Sequence, residues 1–282
     1  MSDETMLIDG GQVPRFLYGT AWKEDATQQL TELALAQGFR GIDTANQRRH
    51  YHEAAVGQAV SASIERGLVD RRELFLQTKF TFRAGQDHRL PYDPAAPIST
   101  QVEQSCASSL AHLKTDYVDS YLLHGPMARS GLTADDWAAW RAIESLHQSG
   151  SARFIGVSNF SLEQLVTLAR TATVTPHFVQ NRCYAIDGWD RLVREFCTAS
   201  GIVYQGFSLL TANRNVLARP ELTRIAERHG RSAAQIVFRF ALDAGFIPLT
   251  GTTNVEHMQA DLAVFEFRLG ADEVSWVERL AV

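Results

Sequence analysis

The sequence predicts an α/β fold, a (β/α)8 TIM barrel with an N-terminal β-hairpin and a short C-terminal helix, and three observations carry that expectation. Apolar, β-rich runs alternate with amphipathic helical patterns along the whole chain. The runs are too uniformly apolar to have one wet face, as parallel strands covered on both sides require. The 282 residues, 45% hydrophobic and 21% charged, hold no Pro/Gly/Ser linker, low-complexity tract or strong repeat, so 1–282 reads as a single barrel domain near the ~250 residues usual for that architecture.

The elements follow in order. The segment from Met6 to Pro14 carries Asp9-Gly10-Gly11 between short runs and reads as a hairpin. Barrel strands are expected at 16–20, 41–45, 74–80, 117–124, 153–159, 177–183, 203–208 and 246–251. Between them, 100–113 has Val102, Cys106, Leu110 and Leu113 on one helical face and opens on a Thr100/Glu103 capping pair. Ser161 with Gln164 and Ser232 with Gln235 open two further helices in the same way. Trp137, Trp140, Ile143 and Leu146 form a stripe that serves helix packing. The mixed charges Glu65, Arg66, Asp70, Arg71, Arg72 and Glu73 read as a solvated turn, and 271–282 as a last helix. The connection 81–97 exceeds ordinary loop length and is placed near the substrate entrance.

Composition narrows the partners. A net charge of −5, an isoelectric point near 6.0 and no run of like charges leave neither nucleic acid nor an anionic membrane an electrostatic footprint. The acidic start and the lack of an 18-residue apolar stretch speak against a signal peptide or membrane span. Cys106, Cys183 and Cys197 are odd in number and have no metal-ligand spacing, so they read as core residues of a cytoplasmic protein without a metal. The expected partner is a small molecule; oligomeric state is not legible.

Chemistry is expected where the barrel strands end. Asp43, Lys79 and His124 end the second, third and fourth strands, each an ionisable group that is costly to bury beside apolar neighbours. Tyr51, in the loop after Asp43, is the candidate proton donor: an adjacent Lys79, held by Asp43, would stabilise its ionised form, and His124 would orient a carbonyl substrate through a second hydrogen bond.

With Gly19-Thr20-Ala21-Trp22, Asp43-Thr44-Ala45, Lys79, Leu122-Leu123-His124 and Gly156-Val157-Ser158-Asn159-Phe160 in that order, the chain resembles the aldo-keto reductases over nearly its whole length. The resemblance implies hydride transfer between a nicotinamide cofactor and an aldehyde or ketone, catalysed by Asp43, Tyr51, Lys79 and His124. The family tyrosine usually stands five residues after the aspartate and three before a glutamate. Here Arg48 and His50 hold those positions, and Tyr51 lies eight after Asp43 and two before Glu53. The loop must therefore bulge by about two residues to bring the phenol within the ~3 Å that proton transfer needs.

The same likeness implies that Ser158, Asn159 and Gln180 hold the nicotinamide carboxamide, that Phe207 stacks on the ring where a tyrosine is common, and that Ser208 and Leu210 run past the pyrophosphate. Thr20 and Asp43 join that set, with Gly251, Thr252, Thr253 and His257 toward the phosphates and Trp22 walling the carbonyl pocket beside His124. NADPH is the expected cofactor, with NADH not excluded, because no Lys or Arg occurs between Leu249 and Phe267. Arg214 is the alternative clasp for a 2′-phosphate. Two other classes stay open: a nucleotide-binding sensor or accessory subunit with little catalysis, and an isomerase or lyase on the same barrel.

Overall fold

The structure, a computed structural model, describes residues 4–280. Its barrel strands are β3 (Leu17–Gly19), β4 (Gly41–Asp43), β5 (Phe75–Phe80), β6 (Val118–Leu123), β7 (Ala152–Ser158), β8 (Phe178–Arg182), β9 (Val203–Phe207) and β10 (Ile247–Thr250). They hydrogen-bond in the closed order β10-β3-β4-β5-β6-β7-β8-β9, and β1 (Thr5–Ile8) and β2 (Gly11–Pro14) form the separate antiparallel hairpin. Each falls on an expected run. The described residues pack as two compact units, one Tyr18–Val179, the other the chain up to Leu17 together with that from Gln180 onward.

In the Tyr18–Val179 unit, parallel ladders set the register that the chemistry uses: Asp43 pairs with Gln77 across β4 and β5, and Lys79 with Leu122 across β5 and β6. Its helices are α1 (Thr27–Gln37), α2 (Glu53–Glu65), α3 (Ile98–Leu113), α4 (Ala134–Gln148) and α5 (Leu162–Thr171). Gly156 in β7 is required by the close approach of the Phe178 backbone, since a Cβ there would lie 2.3 Å from the Phe178 carbonyl oxygen. Gly57 lets α2 approach α3, where a Cβ would meet the His112 carbonyl oxygen at 1.9 Å. Trp140 and Ile143 are buried, as the stripe on α4 predicts.

Two expectations fail here. The Thr100/Glu103 pair caps nothing: Pro97, with φ −54°, is the N-cap and α3 starts at Ile98, which leaves Thr100 inside the first turn. The pair that does reciprocate is Thr133 with Asp136 ahead of α4, where the shorter carboxylate hides the usual Glu/Gln signature. Nor is the cluster around Arg71 merely solvated. Arg71 reaches inward to Asp119 at 2.8 Å and to the Tyr117 carbonyl oxygen at 2.8 Å, whereas Arg66 and Arg72 do lie at the surface.

The other unit holds the hairpin, α6 (Arg191–Ala199), α7 (Arg214–Leu217), α8 (Pro220–His229), α9 (Ala233–Asp243), α10 (Val255–Leu262) and α11 (Ala271–Glu278). Asp9 and Gly10 take φ 46° and 78°, the left-handed pair of a two-residue turn, so Gly11 belongs to the strand. The expected last helix, 271–282, ends at Glu278, and its final two residues lie outside the described ones. The Ser161 and Ser232 capping boxes both form. Cys106, Cys183 and Cys197 are free and buried. Among the described residues no helix is long and apolar enough to cross a membrane, and no His/Cys/Asp/Glu group could hold a metal ion.

Candidate active site

Strand alternation puts Gln77 and Lys79 on one face of β5, and both turn to the last residue of β4. Lys79 Nζ donates to Asp43 Oδ1 at 2.6 Å and to the Thr44 carbonyl oxygen at 2.8 Å, and Gln77 Nε2 donates to the same carboxylate oxygen at 2.8 Å. Lys79 is wholly buried, and burial pulls its pKa down, opposed by the charge and hydrogen bond of Asp43. Thr20, also fully buried, donates its hydroxyl to the Asp43 carbonyl oxygen at 2.9 Å and so ties β3 to β4.

The loop 44–52 absorbs the departure seen in the sequence. Asn46 Nδ2 donates to the Ser105 carbonyl oxygen at 3.0 Å, and Gln47 Nε2 to that of Gly85 at 2.7 Å. The chain then turns back on itself, with the Tyr51 N–H donating to the Gln47 carbonyl oxygen at 3.0 Å, so the extra residues form a closed turn. Beyond it Glu53 opens α2 with its buried carboxylate taken by the Thr78 hydroxyl and by His112 Nδ1. Fixed at both ends, the turn sets the Tyr51 ring centre 5.4 Å from Lys79 Nζ and 5.9 Å from the His124 ring, edge to face.

The Tyr51 hydroxyl has no hydrogen-bond partner among the described residues. Burial raises its pKa, and the Asp43 charge adds to that, so the expected lowering of the phenol by Lys79 does not dominate here. His124 is pushed down to about 3 by burial, then by the Lys79 charge, and is neutral at ordinary pH. Its Nδ1 faces Thr81 Oγ1 at 2.6 Å, and its carbonyl oxygen accepts from Asn159 Nδ2 at 2.8 Å. Trp22, 70% exposed, stacks on His50 of the inserted turn with ring centres 3.9 Å apart.

Asn159 also donates to Ser158 Oγ at 3.1 Å, and its amide oxygen accepts nothing from the described residues. A cavity of about 360 Å³ opens beside Asn159, lined also by Met127, Arg129, Ser161 and Gln164. In the other unit, Gln180 Nε2 donates to Gln205 Oε1 at 3.0 Å, and the Phe207 ring is half-buried with the Arg182 guanidinium 5.8 Å from its centre. Ser208 has φ 60° and Leu210 is half-buried after it. Gly251, Thr253 and His257 are exposed around the start of α10, where Asn254 accepts from the His257 N–H.

Gln77 and Thr81 had not been singled out in the sequence. The signal was present: they stand two residues either side of Lys79, the period that gives strand residues one face.

A sequence profile described as the aldo/keto reductase family matches residues 15–281. An aldo-keto reductase of Bombyx mori, AKR2E4, is 30% identical over 294 aligned residues, covering 97% of this chain and 90% of that one. One from Mycolicibacterium smegmatis is 32% identical, covering 97% and 89%. Among solved structures, an aldo/keto reductase from Brucella melitensis superposes with a TM-score of 0.84 at 29% identity, covering 99% of this chain and 98% of that one. The Bombyx mori enzyme, crystallised in complex with NADP, gives 0.83 at 27% identity, covering 99% and 93%.

Proposed function

The chain belongs to the aldo/keto reductase family, and on that footing we propose that it reduces an aldehyde or ketone to the alcohol with NADPH, Tyr51 acting as general acid. The observation that supports this best is the turn at 47–51, which sets an unbonded phenol 5.4 Å from Lys79 Nζ and 5.9 Å from His124.

The donor set suits a nicotinamide dinucleotide. The open amide oxygen of Asn159 matches a carboxamide N–H, with Ser158 and Gln180 as further carboxamide holders, and the Phe207 face suits a planar ring. Thr20 and Asp43 belong to the same binding set, Ser208 and Leu210 to the pyrophosphate segment. Thr252, Thr253 and the first N–H groups of α10 suit phosphate oxygens, with Gly251 and His257 beside them. When bound, the reduced cofactor supplies the hydride. The chain's own residues deliver the proton. A phenol whose pKa is raised stays protonated across the working range, as a donor to a developing alkoxide must. Neutral His124 offers one N–H to the same oxygen, Lys79 stays fixed by Asp43 beside the phenol, and Trp22 walls the pocket.

We take 1–282 to act as one domain, since a single family profile spans 15–281. Free thiols at three buried cysteines fit a reducing cytoplasm. The test is the loss of nicotinamide absorbance on mixing protein, NADPH and a reactive aldehyde, repeated with NADH. Turnover with wild type that is lost in Tyr51→Phe, with NADPH binding kept, supports the reading. Tight NADPH binding with no turnover for any carbonyl would instead make this a nucleotide sensor.

A further inference from the structure

Thr81 lies just beyond β5 and is held from several sides. Its carbonyl oxygen accepts from the Tyr92 hydroxyl at 2.8 Å and from Gln86 Nε2 at 3.3 Å. Gln86 Nε2 also donates to the Asn46 carbonyl oxygen at 2.8 Å, which locks the connection after β5 to the loop carrying Tyr51. The methyl of Thr81 sits where Gly85 has no side chain: a Cβ on Gly85 would lie 2.7 Å from Thr81 Cγ2. With backbone and methyl fixed, the hydroxyl points one way, to His124 Nδ1 at 2.6 Å.

We propose that Thr81 is a positioning residue: its hydroxyl donates to Nδ1 of His124 and thereby places the single imidazole proton on Nε2, the nitrogen left to meet a substrate oxygen. A neutral imidazole carries one N–H, so two arrangements exist. If Nδ1 carried it, His124 would donate to Thr81 Oγ1, and the threonine proton would have no acceptor among the described residues, at a side chain 7% exposed. A hydroxyl proton buried without a partner bears the full cost of its lost hydration, which sets the two tautomers apart. In the other arrangement the threonine proton has its acceptor, and the proton left over, Nε2–H, sits on a half-buried ring at an atom that keeps some exposure, free to meet water or a substrate oxygen. The main chain of His124 is held as well, its backbone N–H donating to the Phe80 carbonyl oxygen at 2.8 Å and its carbonyl oxygen accepting from Asn159 Nδ2. The length of the 81–97 connection then has a reason, since Gly85, Gln86 and Tyr92 all come from it and together hold Thr81 in place.

The donor role of His124 toward substrate rests on the proposed reductase function; the tautomer does not. The test is long-range 1H–15N NMR of the full chain with labelled histidine, without substrate, on wild type, Thr81→Ser, Thr81→Val and Gly85→Ala. The expected result is the Nε2–H tautomer in wild type and Thr81→Ser, and a mixed or Nδ1–H signal in Thr81→Val, which keeps the shape but not the hydroxyl. Gly85→Ala, which displaces the threonine methyl without touching its hydroxyl, should shift the signal the same way. In turnover, Thr81→Val should lose roughly tenfold or more in kcat, and Thr81→Ser should regain most of it. An Nδ1–H wild type, or an unchanged Nε2–H tautomer in Thr81→Val, overturns the proposal. A wild type inert toward carbonyls would sink the reductase reading and leave the NMR result to decide Thr81.

Discussion

Two buried ionic clusters lie at opposite ends of the same strands of the Tyr18–Val179 unit, and they differ in what surrounds them. At the C-terminal ends, Lys79 and Asp43 meet at 2.6 Å beside a phenol with a free hydroxyl and a neutral imidazole. At the N-terminal ends, Asp119 takes Arg71 at 2.8 Å, Arg153 at 3.2 Å and the Leu76 N–H at 3.0 Å, and both guanidinium groups lie over the Tyr117 ring. The Asp119 cluster has its hydrogen bonds answered by permanent charges and backbone. The Asp43 cluster borders groups with a proton to give. A buried ion pair is therefore no sign of a site in itself; what marks one is an unsatisfied titratable neighbour.

The largest expected effect separates the two clusters by function. Tyr51→Phe and Lys79→Met should each lower kcat by ~100- to 10,000-fold, the usual weight of a positioned proton donor and its support. Equal losses at the Asp119 end, in a variant that still folds, would erase the distinction. Steady-state kinetics alongside NADPH titration would show whether the loss lies in turnover rather than in cofactor affinity.

The second effect runs the other way. Arg71→Met should lower stability by about 2 kcal/mol, less than the cost of stranding a buried charge outright, since Asp119 keeps Arg153 and the Leu76 N–H and the Arg71 side chain is 20% exposed. For a chain of this size that is ~4–8 °C in Tm by calorimetry, with kcat of the folded fraction unchanged. A variant that melts like wild type would make the Asp119 cluster decorative.

How legible each cluster was follows from how far its signal travels along the chain. Asp43, Lys79 and His124 each end an apolar run, so local contrast marks them. Asp119 sits second in β6 and meets partners from two other segments, 71 and 153, which no local pattern joins. Arg71 looked solvated because its sequence neighbours are; only the fold turns it inward. Strands were legible because burial on both faces leaves a continuous apolar record. The start of α3 was not, because Pro97 acts through backbone geometry while Thr100 and Glu103 imitate a cap. Tyr51 was the hardest, since its place depends on a turn closed by Gln47 and tethered to Gly85 rather than on spacing.

The smallest effect concerns two histidines whose environments push them in opposite directions. His112 is a structural partner: its hydrogen bond to the Glu53 carboxylate raises its pKa, against burial. The folded value lies above the unfolded one of ~6.5, so this contribution is full below that pH and fades as pH rises through the raised value. The Tm difference between wild type and His112→Gln should then shrink between pH 6 and pH 8. His124, held down at about 3, works with the reverse sign. Below ~6.5 the unfolded chain binds a proton that the folded site refuses, so stability falls as pH drops from there toward 3, and nothing is lost above it. Because His124 stays neutral throughout, kcat between pH 5 and pH 8 should show no limb that His124→Gln removes. A limb near 6.5 that vanishes in that variant would mean the imidazole titrates in the mouth of the barrel, and the contrast between a proton-poised site and a charge-saturated one would lose its sharpest support.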